Sequence, residues 1–205
     1  MWGMGTATKN CNKENMIMMK KMITLALAVL MVLGMVACGG GSDKASGNGF
    51  GADSAVAVLE NVWAQYGDDE KFAAMGGDYD NNVMDAPGKF AHDNAEYMDG
   101  MLAIPAEATA MVDDAASLMH MMNANTFTAG AFHLADAANE EAFVAAVKES
   151  VMNRQWMCGF PEKLIIVSDG NGYVVTAFGH GDAINPFLAK LTEMGGTVVV
   201  EENIG

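Results

Sequence analysis

From Asn125 to the C-terminus the sequence predicts an α+β domain, and three observations carry that expectation. "NTFTAGAFHL" (residues 125–134), "KLIIV" (163–167), "YVVTAF" (173–178) and "TVVVEE" (197–202) are short runs enriched in β-branched and aromatic residues. Two segments between them place apolar residues at helical spacing behind a capping side chain. "SDGNG" joins the second and third runs, and its Asp169, Gly170, Asn171 and Gly172 are the residues a tight hairpin demands. The resulting order, β-α-β-β-α-β, is the ferredoxin-like split βαβ pattern, in which two helices cover one face of an antiparallel sheet.

The first of these helices is expected to be capped by Asn139, with Glu140 and Glu141 meeting the positive end of the dipole and Phe143, Val144, Val147 and Val151 forming the apolar stripe. Asp182 opens the second, with Pro186 still in the first turn, Phe187, Leu188 and Leu191 facing inward, and Gly195 at the end. Upstream, residues 53–124 read as a helical extension that packs on an edge or on the open sheet face. Asp53 or Ser54 caps a helix whose Val56, Leu59, Val62, Trp63 and Tyr66 recur at helical spacing before Gly67. Residues 68–89 are loop-rich, a helix returns from Phe90 to Leu102, and another starts at Asp113 or Asp114 and runs through "AASLMHMM".

Location is written in the first fifty residues. Lys20 and Lys21 precede an uncharged run from Met22 to Val36, a positive n-region and an apolar h-region too short to span a bilayer comfortably. Met35, Val36 and Ala37 stand before Cys38 as an aliphatic residue and a small residue stand in the lipobox of bacterial lipoproteins, which this segment resembles. The resemblance implies diacylglycerol on the Cys38 sulfur, cleavage before it, and acylation of the new amino terminus in organisms with that step. Two or three acyl chains hold a protein stably, whereas one binds marginally. Residues 1–18 then read as an extension ahead of the true start at Met19, 19–37 as the signal peptide, 38–52 as a flexible glycine-rich tether, and 125–205 as the α+β domain.

The formal net charge of −15 grows more negative once the lysine-bearing leader is removed. Such acidity repels phosphate backbones, so nucleic acid is excluded as a partner. The chain has 3 cysteines, and with Cys11 outside the mature protein and Cys38 acylated, Cys158 stands alone without a disulfide partner.

Candidate chemistry is sparse. "NRQWMCGFPEK" (153–163) places Cys158 after a helix end, the wrong pole for activating a thiol, with Arg154 and Lys163 as local compensation. A buried thiol is the plainer role. "LMHMMN" (118–123) offers thioether and imidazole ligands of the kind copper(I) takes. On a helix, Met119 and Met122 would share a face while His120 points elsewhere. His120, Met119, Met122 and Cys158 are therefore weak metal candidates, and no metal or cofactor is expected. "DYDNN" spaces Asp78, Asp80 and Asn82 like an EF-hand loop but has Val83 and Lys89 where glycine and glutamate belong. His133 and His180 sit at strand ends that can approach each other, without a nucleophile pattern beside them, so no catalytic residue is assigned.

"DDAASLMHMMNANTFTAGAFHL" (113–134), "MNRQWMCGFPEKLIIV" (152–167) and "YVVTAFG" together resemble a family of uncharacterised lipoproteins of anaerobic Gram-positive bacteria, some labelled bacteriocin transport accessory protein. The resemblance covers about the last hundred residues and carries no assigned catalytic or ligand residue. The label implies an export role, while the two-cysteine motif of thioredoxin-type accessory proteins is absent. The expectation is a lipid-anchored, extracytoplasmic, non-enzymatic binding or accessory domain, held to the membrane through Cys38 and facing an unknown protein partner. The alternative is a soft-metal or redox-linked protein using Cys158, His120 and the methionines, and a third is an enzyme with an unrecognised site.

Overall fold

The computed structural model describes residues 49–122 and 126–205. Cys38, the signal peptide and most of the tether lie outside the described residues, as does Asn125. The described residues form one compact unit, and no helix among them is long and apolar enough to cross a membrane.

The elements in order are α1 (Ala55–Trp63), β1 (Ala74–Gly77), β2 (Asn82–Met84), β3 (Gly88–Phe90), α2 (Ala95–Leu102), α3 (Ala106–Thr109), β4 (Val112–His120), β5 (Phe127–Leu134), α4 (Glu140–Asn153), β6 (Lys163–Ser168), β7 (Tyr173–Gly179), α5 (Gly181–Glu193) and β8 (Thr197–Asn203). All pairings are antiparallel, and the strands lie in the order β2-β1-β4-β5-β7-β6-β8, with β3 also lying along β4.

The chain is α+β with the element order expected after residue 125, but its strand order departs from the ferredoxin-like one. In that topology the last strand returns beside the first. Here β8 lies beyond β6 at the opposite edge, and β4 takes the place next to β5. The consequence is geometric. The β5-α4-β6 and β7-α5-β8 crossovers both step in the same direction across the sheet, but they start from antiparallel strands. Two crossovers of one hand then place their helices on opposite faces.

The packing agrees. Ile184, Phe187 and Leu191 of α5 join α1 in one core with Ala116, Leu118, Ala129, Ala131, Ile165, Val167, Val175 and Ala177. Phe143, Val147 and Val151 of α4 join α2 and α3 in a second core with Ala115, Phe132, Leu134, Leu164, Ile166, Val174 and Phe178. The sheet is therefore sandwiched between two helical layers, and the expectation of two helices covering one face is corrected. α1 shares its sheet face with α5, and α2 and α3 share theirs with α4, so the expected open face for the upstream helices does not exist.

Two further expectations upstream are overturned. The segment from Asp113 to His120 is a strand, β4, not a helix, because its alternate side chains are claimed by the two cores and its backbone by β5 over a register from Val112↔Leu134 to Met119↔Thr128. The loop-rich stretch 68–89 contains β1, β2 and most of β3, and Phe90 closes β3 while the helix starts at Ala95 behind the cap of Asn94. Residues 53–124 are thus not a helical appendage; they contribute four strands to the common sheet. β1 and β3 approach so closely that a Cβ on Gly76 would lie 2.1 Å from the Gly88 nitrogen.

Capping separates the true helix starts from the expected ones. Ser54, not Asp53, caps α1 by accepting from Ala57 N–H, and Asp114 accepts from Ala55 N–H. Asn139 makes no side-chain cap: Asp136 caps a short 3₁₀ turn, Ala137–Asn139, that leads into α4. Pro186 sits past the first turn of α5. The hairpin at Asp169–Gly172 has the form its residues demand, with Gly170 and Gly172 at φ +69 and +107° and the Asp169 side chain accepting from Asn171 N–H and Tyr173 N–H.

Candidate crevice at the His120 end of the sheet

Antiparallel pairing gathers the C-terminal ends of β4 and β7 and the N-terminal ends of β5 and β6 at one end of the sheet. A crevice of about 220 Å3 opens there. Its walls include His120 and Met122 from the end of β4, Thr128 from β5, and Arg154, Trp156 and Cys158 from the loop between α4 and β6.

Three of the four soft-ligand candidates therefore converge on one place. Met119 is not among the lining residues. The reason is the change from helix to strand. A helix would have put Met119 and Met122 on one face, whereas in the strand Met119 and His120 point to opposite sides, and the bend after β4, closed by Met122 N–H donating to His120 Nδ1, sets Met122 beside His120.

His120 is held tightly. Its Nδ1 accepts from Met122 N–H at 3.0 Å, and its ring stacks on Phe72 with centroids 4.8 Å apart. Burial holds its pKa below the ordinary histidine value. A backbone N–H is a fixed donor, so Nδ1 must stay unprotonated and the neutral ring carries its proton on Nε2. That tautomer occupies the very nitrogen a metal would approach.

Trp156 packs on Phe178 with centroids 5.1 Å apart, and its indole Nε1 is sealed from water without a hydrogen-bond partner. The Arg154 guanidinium lies 5.8 Å from the Trp156 ring centroid and pairs with Asp99. Ala103, also on the wall, ends α2 in the left-handed region at φ +58°, a conformation that costs a non-glycine residue roughly 1–2 kcal/mol.

Cys158 is exposed, which corrects the expected buried thiol: the loop turns its polar and apolar tips outward after Trp156 anchors it. Met157 is 87% exposed and Phe160 68%, and at the end of β4 Met122 is 58% and Met121 47% exposed. No group of three or more His, Cys, Asp or Glu side chains suited to a metal occurs among the described residues.

The other sequence candidates lie apart. His133 is near the C-terminal end of β5 and His180 follows β7, so the two histidines stand at opposite ends of the sheet and do not meet. A bulge that leaves Asp113 unpaired opposite β5 brings its Oδ1 to 2.5 Å from His133 Nδ1, an exposed pair that the sequence did not signal. The Asp78 carboxylate is turned inward and consumed by backbone: Oδ1 accepts from Asp80 N–H and Asn81 N–H at 2.9 Å, and Oδ2 from Ala91 N–H at 3.0 Å. The EF-like spacing is a loop clamp. Comparison of the chain with protein-family models, with curated proteins and with solved structures found no match.

Proposed function

We propose that the protein is a lipoprotein anchored through Cys38 at the extracytoplasmic face of the cell membrane, and that its domain is a non-catalytic binding or accessory module for a protein partner. The export role implied by the family label is compatible with that task. The observation that carries the binding part is the exposed Met122 on the crevice wall, with Met121, Met157 and Phe160 exposed on the two segments that supply Met122 and Cys158 to that wall. Exposed apolar side chains around a crevice in a strongly acidic domain support an interaction surface there.

Attachment geometry supports the same reading. Gly49 lies against Asp169 and Asn171 in the β6–β7 turn, at the end of the sheet opposite the crevice. A tether arriving there leaves the crevice end free for a partner. The test is a photocross-linker at position 157 in the full chain, used in intact cells. One discrete adduct that Phe160→Asp abolishes is expected, and an adduct pattern unchanged by Phe160→Asp contradicts the assignment.

The soft-metal alternative rests on the shared crevice of Cys158, His120 and Met122. The tautomer fixed by Met122 N–H weighs against it. Copper(I) titration of the tag-free protein separates the two: affinity tighter than about micromolar, lost in Cys158→Ser, favours the alternative.

A further inference from the structure

β4 ends at His120, and the chain bends through the exposed Met121 and Met122. Two backbone donors fix that bend. Met121 N–H donates to the Ala73 carbonyl at 2.9 Å, a bond that no proton can alter. Met122 N–H donates instead to a titratable acceptor, His120 Nδ1, at 3.0 Å. We propose that His120 is a proton-operated latch: the neutral ring holds Met122 on the crevice wall, and the protonated ring lets it go.

The chemistry follows from the inventory of donors. An amide N–H needs a ring nitrogen with a free lone pair, and imidazolium has none, because both of its nitrogens carry hydrogen. Protonation therefore sets two N–H groups against each other where one has to accept, and the Met122 bond is lost. The ring itself is held by Phe72, stacked at 4.8 Å between centroids, and an aromatic face tolerates a cation at that distance. The ring is thus the fixed part of the latch and the bend carrying Met122 is the part released.

The groups around the ring set when this happens. On the α1/α5 side it shares a crevice of about 310 Å3 with Tyr66, Asp182 and Glu70, and Glu70 is already paired with Lys190 at 3.5 Å. On the other side stand Cys158 and Arg154, the latter paired with Asp99. β5 contributes Thr126 and Thr128, and β1 places Ala74 opposite His120. Burial outweighs these neighbours and holds the His120 pKa below the ordinary histidine value. The unfolded chain then takes up this proton first, so the latched arrangement is fully favoured above about pH 6.5 and weakens as pH falls below it.

Acid would loosen one wall of the crevice and with it the grip on a partner seated there. That consequence rests on the proposed binding role, whereas the latch does not. The test is NMR of the 15N-labelled full chain in nonionic detergent, titrated from about pH 8 to about pH 4.5. The His120 ring nitrogens are expected to report the Nε2–H tautomer at the alkaline end and a midpoint below about 6.5. The Met122 amide proton is expected to shift with that midpoint and to lose exchange protection at least three-fold, while the Met121 amide keeps its own. His120→Asn supplies an amide oxygen, an acceptor that does not titrate, and is expected to abolish the pH response of the Met122 amide. A Met122 amide that ignores the His120 midpoint, an Nδ1–H tautomer at pH 8, or a Met122 response that persists in His120→Asn overturns the proposal. Cross-linked adducts from position 157 that are missing at both neutral and acid pH contradict the binding role alone, and the amide titration still decides the latch.

Discussion

Asp78 is only 2% exposed, and its carboxylate gathers three backbone N–H groups from both sides of the 78–91 loop. Removing it leaves those donors without their acceptor, each costing about 1–3 kcal/mol where buried. Asp78→Ala is expected to lower unfolding free energy by about 3 kcal/mol in urea titration, and added calcium to change neither protein. Tyr66 gives a second expectation at this scale. Burial, and after it the Glu70 charge, pushes its phenol well above the ordinary value. A raised folded-state pKa means that the unfolded chain releases the proton first, so stability is full below about pH 10 and falls as pH rises beyond it. Tyr66→Phe is expected to be about 1 kcal/mol more stable at neutral pH and to lose less stability than wild type in alkaline melts. Neither role was readable from sequence. "DYDNN" has cation-binding spacing, and only the fold shows its first carboxylate turned toward its own backbone.

Single elements show how far local pattern reaches. The β6–β7 hairpin was legible because Asp169, Gly170, Asn171 and Gly172 dictate a turn whatever surrounds them. β4 was not, because alanine, leucine and methionine in "AASLMHMM" favour helix in isolation. Pairing with β5 on one side and with β1 and β3 on the other overrode that preference. A signal did exist in the strands that were recognised. "LIIV" and "VV" are continuous apolar runs, which belong to strands buried on both faces, whereas a one-sided sheet alternates. The misplaced β4 then carried the ligand reading with it, grouping Met119 with Met122 instead of His120. Two outcomes test the strand. Ser117 Oγ donates to the Gly77 carbonyl at 2.7 Å, tying β4 to β1, so Ser117→Ala is expected to cost about 1–2 kcal/mol. Gly76→Ala drives a methyl into the backbone at Gly88 and is expected to cost about 3 kcal/mol or more, with hydrogen-exchange protection lost first in β1 and β3.

For the whole molecule, the two crossovers of like direction decide the architecture, since they force α4 and α5 to opposite faces and leave room for α1 beside α5 and for α2 and α3 beside α4. From residue 125 on, the order of elements was legible but not which edge β8 would take, because strand order depends on which neighbour already occupies the edge of β5. β4 does, so β8 pairs with β6. The same topology sets the chain entry and the exposed methionines at opposite ends, an arrangement suited to a tethered binder. A tethered binder requires acylation of Cys38. The direct measurement is metabolic labelling with radioactive palmitate followed by fractionation of cells expressing wild type or Cys38→Ala. Label in the wild-type band, with the unlabelled variant retaining its leader at larger mass, is the predicted result. A wild-type protein without label, or a Cys38→Ala variant that is labelled equally and processed to the same mass, contradicts it.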